Sequence, residues 1–258
     1  MVFLTAFLFS TSSSAIPPGS LHTPNTELAD KITVGSYITY LGKVFGYETG
    51  YGRVDVKSDG YINSFGLRLT HNTELNYDNL NFGVDSYFAG SQAGANTIES
   101  HLISLKTIFP VNEPLIPHHW RYGIEYKLLT ESSFDDIHFI NLFTGTNLGT
   151  VYANGGVSTY FGESVDTEFG VFANLIYKAG NDVEIFAEYS TLDFTRAYIN
   201  NYIAAGARNI GVINTGNAPK DAFSYGVRLK REKYFTLDFT LYDLDLTTSP
   251  FLGVSLNF

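Results

Sequence analysis

The sequence contains no cysteine, one tryptophan and one methionine, and only 16% of its 258 residues are charged. Without cysteine, neither a disulfide framework nor a thiolate metal site is available. Long hydrophobic runs are missing too. After residue 15, no stretch approaches the roughly 18 apolar residues a membrane-spanning helix needs. Basic residues are scarce: 16 Lys and Arg stand against 26 Asp and Glu, giving a net charge of -10. That balance argues against a nucleic-acid partner and excludes polybasic attachment to a membrane surface. No glycine-rich phosphate loop precedes a helix, and no cofactor is implied.

What is abundant is Tyr (18), Phe (21) and Gly (24). Aromatic and β-branched residues with few charges point to strands. Period-two alternation recurs from residue 32 to the end. In "YFTLDFTLYD", Phe235, Leu237, Phe239 and Leu241 share one face, and Thr236, Asp238, Thr240 and Tyr242 share the other. "RYGIEYKLL", "EFGVFANLIYK", "VEIFAEYS" and "FSYGVRLK" repeat the arrangement, with Leu, Val, Phe and Tyr opposite Gly, Ser, Asn and charges. A soluble sandwich also alternates, but its strands run nearer 5–6 residues. Many of these runs reach the roughly 9–11 residues that cross a bilayer when tilted. Aromatic residues at the strand ends (Tyr37, Tyr40, Trp120, Tyr160, Phe161, Tyr177 and Tyr234) suit interfacial girdles.

The expected fold is all-β: a single antiparallel transmembrane β-barrel of about twelve strands, with ten or fourteen as alternatives. Short connections are expected at 76–79 ("NYDN"), 145–149, 179–182 and 231–233, and longer ones at 43–60, 90–97, 130–135, 162–167, 195–221 and 244–249. Long and short alternate, apart from the proline-containing stretch 110–119. Counting 44–56 as a strand gives an odd number. Folding it into an outer loop, or into extensions of its neighbours, restores the even number that a closed barrel requires. Residues 1–15 ("MVFLTAFLFSTSSSA") resemble the apolar core and small-residue cleavage site of a secretory signal whose basic start is missing. Residues 16–30 then form a periplasmic lead-in, and 31–258 the barrel.

The polar faces nominate a lumen lining: Arg68, Asp85, Lys106, Arg121, Glu125, Lys127, Glu168, Lys178, Glu184, Glu188, Arg228, Lys230 and Asp238. This near-balanced set could fill a narrow barrel with ion pairs or line a small wet pore. The loop 195–221 is too apolar to stay solvated. With Arg196, Tyr198, Tyr202 and Arg208 it is expected to form a partial lid over the lumen. Catalytic readings fare worse. Asp135, Asp136 and His138 lack a visible second carboxylate pair, and Ser100 and His101 are adjacent and so point to opposite faces. His118-His119 beside Trp120 reads as an interfacial turn, not as a metal site.

The closing alternation "SPFLGVSLNF" resembles the last strand of outer-membrane β-barrels of Gram-negative bacteria, where a terminal Phe, here Phe258, is the signal read by the barrel-assembly machinery. The lead-in Thr23-Pro24-Asn25-Thr26-Glu27, followed by "YGIEYK", "EIFAEYS" and "YGVRLK", also resembles the exopolysaccharide-associated YjbH-like barrel group. These resemblances imply an outer-membrane location, contact with lipid and lipopolysaccharide, and no enzyme. Two functions follow as expectations: a porin-like passive channel for small solutes, or a non-conducting structural or polysaccharide-export accessory barrel. An outer-membrane hydrolase and a soluble β-sandwich are further alternatives.

Overall fold

Twelve strands close into one antiparallel barrel in the computed structural model, which describes Leu28 and residues 32–49, 52–89, 91–110, 120–131, 134–163, 165–192, 222–231, 235–244 and 247–257. The strands are β1 (Ile32–Thr49), β2 (Gly52–Arg68), β3 (Thr73–Phe88), β4 (Ser91–Pro110), β5 (Trp120–Glu131), β6 (Phe134–Asn147), β7 (Val151–Gly162), β8 (Val165–Lys178), β9 (Val183–Ser190), β10 (Ala222–Arg231), β11 (Phe235–Leu244) and β12 (Thr247–Asn257). Each pairs with its sequence neighbour, and β1 pairs with β12 from Thr33↔Asn257 to Thr39↔Phe251. Closure leaves no open edge, as a spanning sheet requires. The all-β barrel and its twelve strands agree with the sequence reading.

The end where β1 starts and β12 finishes is called basal here, and the opposite end distal. Two basal turns rest on glycines in the left-handed region, Gly149 (φ 87°) and Gly180 (φ 110°). A Cβ is disfavoured there. The first four strands run 18, 17, 16 and 20 residues, whereas β9, β10 and β11 run 8, 10 and 10. The wall of β1–β4 therefore extends farther along the chain than that of β9–β11.

Several boundaries differ from expectation. Of the two expectations for 44–56, extension of the neighbouring strands is the one observed: residues 44–49 continue β1 and 52–56 continue β2, paired to Thr49↔Gly52, in place of a long loop over 43–60. The loop expected at 90–97 is mostly β4. "NYDN" (76–79) lies within β3, and the chain turns instead at residues 69–72, where Leu69 N donates to Thr73 O (2.9 Å). Asn and Asp carry a turn signal, but at this position the alternation of Leu75 and Tyr77 with Glu74 and Asp78 prevailed. The expected signal segment 1–15, the expected lead-in 16–30 apart from Leu28, the stretch 110–119 apart from Pro110, the expected loop 195–221 and Phe258 lie outside the described residues.

Alternation sorts the two faces. The outward face carries Ile124, Tyr126, Leu142, Val157, Val171, Leu175, Ile185, Val227, Phe239 and Val254, all exposed. The inward face is buried, and it is less polar than the sequence suggests. Besides charges and amides it holds Ile62, Leu80, Leu102, Leu129, Ile137, Phe139, Phe143, Tyr160, Phe172, Ile176 and Phe186. Tyr160, expected in an outer girdle, is one of these inward residues.

Candidate functional site: the barrel lumen

Because paired residues on antiparallel strands face the same side, each inward residue is followed around the barrel by inward partners. Three polar ladders result. The first crosses β3 to β7. Lys106 Nζ meets Glu74 Oε1 at 2.7 Å, and Asn76 Nδ2 donates to the same oxygen at 3.1 Å. Glu125 Oε2 accepts from Asn141 Nδ2 (2.9 Å) and lies 3.3 Å from Lys127 Nζ. Asn141 Oδ1 in turn accepts from Ser158 Oγ (2.6 Å). The second ladder links Asn154 Nδ2 to Asn174 Oδ1 (2.7 Å) and Ser224 Oγ to Glu188 Oε1 (2.7 Å), with Asn174 and Glu188 in register.

The third ladder lies toward the basal end of β8–β11. Arg228 donates through Nε to Asp238 Oδ1 (2.7 Å) and through Nη1 to Glu184 Oε2 (3.3 Å). Lys230 Nζ reaches Glu184 Oε1 at 2.5 Å, and Lys178 Nζ stands 3.8 Å from it. Lys178 also donates to Tyr152 Oη at 2.8 Å and lies 4.1 Å from the centre of that ring. Three cations thus meet two carboxylates. Arg228 is 2% exposed and locked between its partners, whereas Lys178 and Lys230 keep 30% and 22% of their side chains open. Buried charges of this kind stay ionised only when paired, hydrogen-bonded or hydrated.

Between the polar ladders runs a row of alternating glycine and phenylalanine: Ile108, Gly123, Phe143, Gly156 and Phe172 on successive strands β4 to β8. A Cβ at Gly123 would collide with the Phe143 ring, and one at Gly156 with the Phe172 ring and the backbone of Leu142. Gly226 stands in the same way under the ring of Phe186. Missing side chains let each ring lie close against the wall, which keeps aromatic bulk out of the centre.

Leu28 packs on this row. Four residues ahead of β1, it contacts the cluster of Ile108, Phe143 and Phe172 on β4, β6 and β8. In strand order, β6 is five places from β1 one way round and seven the other. Leu28 therefore sits across the lumen from the strand it leads into. Twelve strands spaced about 4.8 Å apart and tilted about 40° enclose a barrel roughly 24 Å across between backbones. Leu28 lies within that width, against the inward-facing cluster of Ile108, Phe143 and Phe172.

The nominated residues divide as follows. Lys106, Glu125, Lys127, Glu184, Glu188, Arg228 and Asp238 are buried inward, and Lys178 and Lys230 are half-buried in the same ladders. Glu168, on the inward register of β8 opposite Tyr160, lies toward the distal rim. Arg121 is exposed at the basal rim. Arg68 turns its guanidinium to the basal turn, donating to Thr70 O (3.1 Å) and His71 O (2.8 Å). Asp85 falls in β3, with its side chain outside the described set, as are Arg196, Tyr198, Tyr202, Arg208 and Phe258. Glu74 and Asp78 were missed because the turn expected at 76–79 interrupted their strand. The alternation of β3, taken alone, would have found them.

The histidines weighed and set aside as catalytic have other roles. His138 Nδ1 bonds Tyr126 Oη at 2.7 Å, and the ring stacks on Phe161 on the outer face, while Asp136 is exposed. Ser100 is buried inward and His101 stacks on Tyr77 outside, so the two are not partners.

No protein-family profile matches this sequence, and no curated protein is similar to it in sequence. Solved structures are similar in fold. The COG4313 outer-membrane channel from Pseudomonas putida F1 superposes with a TM-score of 0.59 at 13% identity, covering 95% of this chain and 100% of that one. The KdgM porin gives 0.55 at 11% identity, and its complex with disordered oligogalacturonate gives 0.54 at 10%, each covering 88% of this chain and 99% of the other. These three give no support to the resemblance to the YjbH-like group. The fold is that of outer-membrane β-barrels.

Proposed function

We propose that the protein is a porin-like passive channel of a Gram-negative outer membrane, with a narrow lumen that admits small polar solutes. The observation that carries this reading is the closed barrel with an apolar outer face and hydrogen-bonded polar ladders inside. A lumen meant only to be filled has no need of glycines that hold Phe143, Phe172 and Phe186 against the wall. The structurally similar COG4313 channel and KdgM porin support the same reading.

In this reading the basal end faces the periplasm and the distal end the cell exterior. The third ladder, with more cations than carboxylates, favours anionic solutes at the periplasmic side. KdgM is described in complex with oligogalacturonate, an acidic oligosaccharide, which agrees with that preference. Leu28 narrows the periplasmic mouth. The loop 195–221, with Arg196, Tyr198, Tyr202 and Arg208, is assigned as a partial lid at the outer mouth. Phe258 and the closing strand engage the assembly machinery, and the outer face meets lipid and lipopolysaccharide. The protein acts as a conduit and not as an enzyme.

A second reading, the non-conducting accessory barrel of the YjbH-like type, draws on the near-complete burial of Glu74, Lys106, Arg228 and Asp238. Single-channel conductance of refolded protein in a planar bilayer separates the two, measured with and without residues 195–221. Stable ohmic steps that grow on deletion support the channel with its lid. Silence in both forms, with heat-modifiable mobility showing a folded barrel, overturns it.

A further inference from the structure

Among the described residues, the outer face of β1–β4 has a polar sector. Ser36 on β1 pairs in register with Asn63 on β2, Asn63 with Asn79 on β3, and Asn79 with His101 on β4. Traced the other way, the same row continues through Val254, Leu237, Leu229 and Val183 on β12 to β9. On β1 and β2 the stretch lies between apolar residues, Val34 and Phe65 on the basal side and Ile38 and Tyr61 on the distal side, all exposed; on β3 and β4 it continues distally into Asn81 and Glu99, which pair in register. Lipid tails offer no hydrogen bonds, so amides facing them call for a protein neighbour.

The internal bonds of the row leave a complementary pair of groups. Ser36 Oγ donates to Asn63 Oδ1 (2.9 Å), and Asn79 Nδ2 donates to Glu99 Oε1 (3.0 Å). Among the described residues, the amide nitrogen of Asn63 and the amide oxygen of Asn79 have no bond of their own within the chain. One is a donor and the other an acceptor. They sit side by side on adjacent strands.

We propose that this sector is the interface at which a second copy of the chain docks. Two barrels inserted in the same sense can share a two-fold axis only along the membrane normal. About such an axis, residue i of one copy meets residue j of the other and the reverse. Asn63 of each copy then donates to Asn79 of its mate, so two bonds form from one pair of residues. Lipopolysaccharide does not fit as the occupant, because it lies in the outer leaflet and Ser36 is only four residues from the basal end of β1.

The absence of cysteine makes the test clean. Copies carrying Asn63→Cys and Asn79→Cys are co-reconstituted in vesicles of outer-membrane lipid and oxidised, with Val171→Cys and Leu175→Cys, on the apolar wall of β8, as controls. Heat-modifiable mobility confirms that each variant is folded. The expected result is a disulfide-linked pair between the two Asn variants, at least tenfold more abundant than in the controls. The mass of the unaltered chain in mild detergent should be that of two copies, and Asn63→Leu together with Asn79→Leu should reduce it to one. Cross-linking no greater than in the controls, or a single-copy mass for the unaltered chain, would overturn the proposal. So would capture of a different protein by the same cysteines in native membranes.

Discussion

Arg228 on β10 stands between two carboxylates, with Nε 2.7 Å from Asp238 on β11 and Nη1 3.3 Å from Glu184 on β9. One guanidinium thus ties three consecutive strands. Replacing it with Met leaves two buried acids facing each other. Breaking a buried pair on one side costs about 3–5 kcal/mol. Arg228→Met should therefore unfold at markedly lower urea than the parent in lipid vesicles, and Arg228→Met with Asp238→Asn and Glu184→Gln should recover most of the loss. Equal midpoints for parent and single variant would contradict the assignment.

Lys178 and Lys230 are the accessible cations of the same ladder. Their reversal to Glu should turn an anion preference into a cation preference. The measurement is the reversal potential across a bilayer under a salt gradient. An unchanged sign would place the selectivity elsewhere.

Gly123 and Gly156 look alike in sequence but should respond differently. The atoms a methyl at Gly123 meets first all belong to the Phe143 ring, whereas one at Gly156 meets the backbone of Leu142 and Phe143 as well as the Phe172 ring. Overpacking of this kind costs about 1–3 kcal/mol. Gly123→Ala should be rescued by Phe143→Leu. Gly156→Ala should not be rescued by Phe172→Leu, because backbone cannot be trimmed away. Urea midpoints of the four variants decide this.

Leu28 packs against Ile108, Phe143 and Phe172 through apolar contact. Leu28→Asp should lose that seat and raise single-channel conductance, whereas Leu28→Met, similar in volume, should leave it near the parent value. If conductance is insensitive to both, Leu28 does not limit flow.

Much of the barrel was legible residue by residue. The alternation of Phe235, Leu237 and Phe239 with Thr236 and Asp238 predicted which side each would face, because strand geometry fixes that parity. Seven of the nominated lumen residues, from Lys106 to Asp238, are buried inward for the same reason. Phe172 and Ile176 escaped notice because hydrophobicity was expected only outside. Their inward side follows from the parity of β8; what the neighbouring strand adds is the room that Gly156 leaves for the Phe172 ring.

The sequence by itself determined the class of fold, the even strand number and the parity of each face, since these follow from local periodicity and from the need to satisfy every backbone group in lipid. Only the tertiary structure decided which charges meet. Register between strands brings Arg228 to Glu184 and Asp238, aligns Gly123 with Phe143, and sets Asn63 beside Asn79. Shifting one strand by two residues would preserve every face and change every partner. Periodicity cannot record that choice; the packing of the closed barrel makes it.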